Sequence, residues 1–278
     1  MHSLDGSSFV IGPMGVGEVL DAGIWLAQRH YRLLLLVAAW VEAPAYLLST
    51  VLSLTVDRPP NALDETFLGF LFNPGALASA PTNWTWLICY PAIAVACATA
   101  VEQPDAAREL RPAAVFARVA RRLPMLLALT VVMAIAAVPL LIVLPLGIFV
   151  LVRWSMAWLP VLTQNANARD ALATSWRITK GSWWHTCFVL TAWIMFTLIS
   201  GFAAGALFAG AGYVLATATG DDALFIALDG AGGLASILTT PFSGAVLVVL
   251  FYELRARSQG FDLLQRARAV GVWTSSSS

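Results

Sequence analysis

Apolar runs long enough to cross a bilayer alternate along this chain with short segments that hold nearly all of its charge. The first run, residues 33–56, gives about 36 Å of helix at 1.5 Å per residue, enough to span a hydrocarbon core with some tilt. A second covers residues 84–101 and opens with Trp84, Trp86 and Tyr90, aromatic rings of the kind that settle at headgroup level. Residues 123–163 contain one charge, Arg153, and suffice for a third and a fourth crossing, with Pro139, Pro145 and Gly147 marking the turn between them. A fifth run occupies residues 184–209 and carries Gly201-x-x-x-Gly205, a spacing that admits a close helix neighbour. A sixth occupies residues 234–252. Between these two, the Gly- and Ala-rich residues 210–233 hold Asp221, Asp222 and Asp229 and are expected to form an outer connection. Residues 67–72, within the Pro- and Gly-rich connection 57–83, are apolar but too short to cross, and are expected to lie in the interface.

The polar segments have a pattern of their own. Residues 17–30 place Val19, Leu20, Ile24 and Ala27 on one helical face, with Glu18, Asp21 and Gln28 largely on the other. Within residues 102–122, Val115, Phe116, Val119 and Leu123 oppose Arg111, Arg118 and Arg122. Residues 167–180 set Arg169, Ala173, Arg177 and Lys180 against Ala168, Leu172, Ser175, Trp176 and Thr179. Gly181 stops that helix and Trp183 and Trp184 follow it. The whole pattern predicts an all-α membrane protein of six transmembrane helices with amphipathic cytoplasmic elbow helices. It divides into an N-terminal tail (residues 1–16), one transmembrane domain (17–268) and a disordered C-terminal tail (269–278). An elbow ending in basic residues precedes spans one, three and five, which reads as three helical hairpins; the preference of basic segments for the inner side produces the same pattern without a repeat.

Composition agrees, at 59% hydrophobic and 12% charged residues, far from the globular norm of roughly half apolar and a quarter charged. Net charge is zero, so no basic field draws nucleic acid. The distribution of charge is more telling. With six crossings, Arg29 and Arg32, the five arginines of residues 102–122, Arg169, Arg177 and Lys180, and Arg255, Arg257, Arg266 and Arg268 share one side, against Arg58 alone on the other. That asymmetry puts both termini in the cytoplasm. No cleavable signal is expected, because Asp5, Glu18 and Asp21 precede any long apolar run.

Two ionisable groups fall deep in the expected spans, Glu42 and Arg153, at matching depths of about 14 and 15 Å from the cytoplasmic ends. An isolated charge there costs at least about 3 kcal/mol, so an ion pair between spans one and four is the expected relief, with Pro44 bending the first helix beside it. Three readings stay open: a structural clamp, a functional pathway or headgroup site, and independent snorkelling or protonation. Lipid headgroup candidates are Arg118, Arg121, Arg122, Arg177, Lys180, Trp183 and Trp184, basic and aromatic side chains suited to anionic lipid at the inner leaflet. Cys89, Cys97 and Cys187 lack paired spacing and read as small buried hydrophobes. His30 and His185 have no carboxylate or Cys at ligand spacing, so neither a metal nor another cofactor is expected. No catalytic constellation is visible. Gly12-x-x-Gly15-x-Gly17 follows no strand, which argues against a dinucleotide site.

The run Ala171-Leu172-Ala173-Thr174-Ser175-Trp176-Arg177-Ile178-Thr179-Lys180-Gly181 resembles the "AL-x-x-SW-x-L-T-x-G" loop of bacterial membrane proteins named for the glycerophosphoryl diester phosphodiesterase membrane domain. The stretch from Pro13 to Ala22 is similar to that family's opening. The stretch from Phe251 through Tyr252 and Arg255 to Leu263 is similar to its closing motif, so the resemblance spans nearly the whole chain. Gln164 stands where the family's pattern has an acidic residue. The resemblance implies a multi-pass protein of the bacterial inner membrane. It concerns the membrane part only: the fused enzymes carry their chemistry on a separate soluble barrel with histidines and a metal-binding acidic cluster, and this chain has three histidines and no His-Arg-Gly motif. The expectation is a non-enzymatic anchoring, assembly or accessory subunit, or a lipid-contacting scaffold. Its partners would be membrane lipids and a protein partner or a second copy within the membrane. The alternative is a small-solute or lipid transporter or channel using Glu42 and Arg153.

Overall fold

The computed structural model describes residues 13–55, 82, 85–142 and 144–269. Its elements are α1 (Val16–Arg29), α2 (Tyr31–Thr55), α3 (Trp86–Glu102), α4 (Pro104–Arg108), α5 (Pro112–Ile142), α6 (Leu144–Trp154), α7 (Trp158–Thr163), α8 (Ala168–Ile178), α9 (Trp183–Thr219), α10 (Asp222–Ser236) and α11 (Thr240–Ala269). Among the described residues there is no strand. Five stretches are long and apolar enough to cross a membrane, namely Tyr31–Thr55, Pro112–Ala136, Leu146–Thr163, Trp183–Thr219 and Asp222–Ser258; Trp86–Glu102 is apolar but shorter. The chain is an all-α, multi-pass membrane protein. The interfacial stretch expected at residues 67–72, Trp84, and all but the inner ends of both tails lie outside the described residues.

The bundle is built around α11. From Ala245 to Phe251 every side chain of that helix is buried, and Glu253 and Leu254 follow. A helix apolar on all sides must be wrapped on all sides, and α1, α2, α3, α8 and α9 all pack on it. Apolar side chains gain little by leaving lipid for protein, so association here depends on close packing, which small residues permit. Gly23 of α1 supplies one such approach: a Cβ there would lie 2.6 Å from Val246 Cγ2. Gly244 supplies another against Ile93 of α3. The α3 helix, with Ala92, Ala94, Ala96 and Ala98 all buried, is only about 25 Å long. It tolerates that length because other helices cover it along most of its course.

Three expectations change. The basic elbow before the third span is not a separate helix: α5 runs without interruption from Pro112 to Ile142, through Pro124. A break in lipid would strand several backbone groups where the proline strands one. The fifth span does not end at residue 209, because α9 continues for 37 residues, about 55 Å, to Gly220 at φ 74°. Residues 210–233 are accordingly the far end of α9 and the returning α10, a helical hairpin instead of an irregular connection. Asp221 caps α10 by accepting the Ala223 amide at 2.9 Å, a use of an acidic residue at a helix start that composition alone did not reveal. The elbow α1 forms as expected but lies antiparallel along α11, with Met14 beside Arg257 and Tyr31 beside Phe242.

Candidate functional sites in the membrane bundle

Three polar constellations stand out in the bundle, one where α8 joins the broken fourth span, one where the last span is interrupted and one at the far end of α11.

The fourth span breaks between α6 and α7 at Ser155–Ala157, leaving carbonyls without their usual helical partners. Ser175 of α8, fully buried, donates its hydroxyl to the Arg153 carbonyl at 2.6 Å. The Arg153 guanidinium turns back and donates to the Trp176 carbonyl at 3.1 Å. It also lies 5.1 Å from the Phe149 ring centroid and 4.9 Å from that of Trp176. Trp183 stacks on Phe149 and donates its indole N–H to the Phe149 carbonyl at 3.3 Å. Ala171 is buried, Leu172 is half-buried, and Gly181 takes φ 87°, a left-handed turn that leads from α8 into α9. The Ser-Trp pair of the family-like motif is thus a clasp on the end of α6.

The expected ion pair between Glu42 and Arg153 is not formed. Arg153 is held by Trp176 and two rings, while Glu42 is buried at the opening turn of α11, where the Thr240 hydroxyl donates to its Oε2 at 3.1 Å. The Cys89 side chain of α3 lies close to the same carboxyl. Matching depth in sequence says nothing about which helices become neighbours, and α2 packs on α10, α3 and α11 instead of α6.

What seats Glu42 is the interruption at residues 237–239. Pro241 has no N–H to offer the Ile237 carbonyl and its ring crowds that position, so the chain passes through tighter turns, Leu238 N–H to Ala235 and Thr239 N–H to Ser236. Tyr31 donates to the exposed Leu238 carbonyl at 3.2 Å, and the Tyr46 and Ser236 hydroxyls lie 3.3 Å apart. A neighbouring set joins Tyr90, Ser243, Trp193 and Thr197: Trp193 Nε1 donates to Ser243 Oγ at 2.7 Å, which is 3.1 Å from the Tyr90 hydroxyl.

At the other end of α11, Glu253 is fully buried. It pairs with Arg257, lies 3.4 Å from His185 Nε2 and accepts the Met14 amide at 3.2 Å. Arg257 in turn donates to the Met14 carbonyl at 2.6 Å. The opening and closing motifs of the sequence therefore meet in space, and the acid that joins them, Glu253, was not singled out in the sequence because its neighbours lie far away along the chain. Tyr252 donates to Glu102 at 2.6 Å, and Arg255 is half-buried beside it.

The headgroup candidates separate into two groups. Arg118 donates to Thr99 Oγ1, Arg121 to the Ala117 carbonyl of its own helix and Arg122 to Asn165 Oδ1, so these three make internal bonds although Arg118 and Arg121 are exposed; Trp183 is half-buried. Arg177, Lys180 and Trp184 are exposed, and among the described residues the Arg177 and Lys180 side chains make no such bond. The chain matches no protein-family model, no curated protein and no solved structure.

Proposed function

We propose that this chain is a non-enzymatic membrane protein that binds anionic lipid headgroups at the end of the bundle formed by α8 and the start of α9, and acts as an anchoring, assembly or accessory subunit. The carrying observation is the exposed pair Arg177 and Lys180. Neither has an acidic partner among the described residues, where both ion pairs involve Glu253. The rings of Trp176 and Trp184 beside them are 40% and 68% exposed, which suits a boundary between headgroup and acyl chain. The clasp of Ser175 on Arg153 fixes α8 at this boundary, so the two cations are presented on a braced helix. The resemblance to the membrane part of the phosphodiesterase family supports the same reading, with the basic face and both termini on the cytoplasmic side of a bacterial inner membrane.

The test is lipid retention. The protein is purified into nanodiscs of mixed phosphatidylglycerol and phosphatidylethanolamine and released for native mass spectrometry. Each exposed cation contributes about 1 kcal/mol near anionic lipid, so Arg177→Gln with Lys180→Gln is expected to lower phosphatidylglycerol retention by about tenfold or more. Equal retention by the double variant and the parent contradicts the reading.

A further inference from the structure

Glu42 has surroundings that the headgroup reading does not use. It lies near the middle of the membrane-spanning α2 and is only 7% exposed. Its hydrogen-bond partner is the hydroxyl of Thr240 on α11, and Cys89 of α3 lies close by. The other titratable groups around it are Tyr46 on its own helix, Tyr90 on α3 and, farther out on α10, Asp229. All of these are neutral or acidic. Among the described residues no Arg, Lys or His nitrogen comes within ion-pairing distance of it, since both ion pairs belong to Glu253. A carboxylate so placed has given up water without gaining a counter-charge. A proton supplies what is missing, because the neutral acid carries no charge and can donate as well as accept.

We propose that Glu42 is a proton-binding site inside the membrane and that its charge acts on the seam between α2 and the interrupted last span. The ionised form accepts the Thr240 hydroxyl and faces the N-terminal turn of α11, where the helix dipole favours negative charge. Proton uptake removes that attraction and loosens α2 from the turn at residues 237–239. The break provides an element able to respond, since its backbone is held by three-residue turns and by the Tyr31 hydroxyl instead of a continuous helical ladder.

A membrane-permeant carbodiimide, dicyclohexylcarbodiimide, tests this on the full chain in liposomes. The reagent adds to a protonated carboxyl, taking its proton onto nitrogen and forming a bond to oxygen that rearranges to a stable acylurea with no group lost. Peptide mass spectrometry of the unsubstituted protein is expected to find the adduct on Glu42, formed more slowly as the pH is raised. Thr240→Val removes a donor that favours the ionised form and is expected to speed labelling severalfold at a given pH. Absence of an adduct on Glu42, or a rate that ignores pH, overturns the proton site. A Thr240→Val rate equal to the parent's overturns its coupling to α11. Because the first readout needs no substitution at Glu42, a failure of Glu42→Gln to fold leaves the test intact.

Discussion

Ser175 shows how much a single side chain can do in this bundle. Its hydroxyl closes a carbonyl left open by the break in the fourth span, and removing it leaves a part-buried acceptor without that partner, at about 1 kcal/mol. Ser175→Ala is expected to lower the thermal midpoint in detergent, while Ser175→Thr, which keeps the hydroxyl, loses less. His30, at the junction of α1 and α2, gives a pH signature. Burial, and then the positive charge of Arg29, hold its imidazole below the ordinary value of 6.5. The unfolded chain therefore takes up this proton at higher pH than the folded chain does. Stability attributable to His30 is complete above pH 6.5 and declines as the pH falls through that value. Thermal midpoints measured across that range are expected to fall more steeply for the parent than for His30→Gln; identical slopes contradict it. At this scale the sequence was legible for residue type and poorly legible for partners. Glu42 and Arg153 stand out as buried-region charges by composition alone, but their actual partners, Thr240 and Trp176, are distant in sequence and became neighbours only through helix packing.

Among the elements, the contact of α1 with α11 depends on one missing methyl group. Gly23→Ala places a Cβ 2.6 Å from Val246 Cγ2 and 2.7 Å from its Cα, and backbone cannot yield as a side-chain end can. Overpacking of this kind costs about 1–3 kcal/mol, and the expected outcome is faster proteolysis within residues 16–29 with the rest of the bundle retained. Helix identity was readable from hydropathy and amphipathic spacing: α2 begins and ends within two residues of the expected span, and α8 falls inside the expected elbow. Helix ends were less readable. Gly210, Gly212 and the nearby alanines suggested a connection, yet Gly212 is where α9 accepts the backbone of Phe225 from α10, so small residues there mark a close crossing instead of a turn. The basic elbow expected within residues 102–122 likewise has no end of its own, since α5 runs on from Pro112 to Ile142.

The molecule as a whole is a set of helices gathered around α11, whose buried stretch from Ala245 to Phe251 touches neighbours drawn from both ends of the chain. Sequence made the all-α, multi-pass character legible, because it follows from the cost of polar groups in lipid. It did not reveal which helix is central, since α9 and α11 are both long and apolar; only α11 is enclosed, while α9 exposes Phe202, Leu207, Tyr213 and Val214 along its length. On the proposed function, α9 carries the chain from the basic end of the bundle, the proposed headgroup site, to the opposite face of the membrane. Sidedness of thiol labelling tests it most directly. With Cys89, Cys97 and Cys187 replaced, a single cysteine at Arg169 or at Thr219 is treated with an impermeant maleimide in sealed, oriented vesicles. The two positions are predicted to react from opposite sides, Arg169→Cys from the cytoplasmic one. Labelling of both from the same side contradicts the topology and the headgroup role that depends on it.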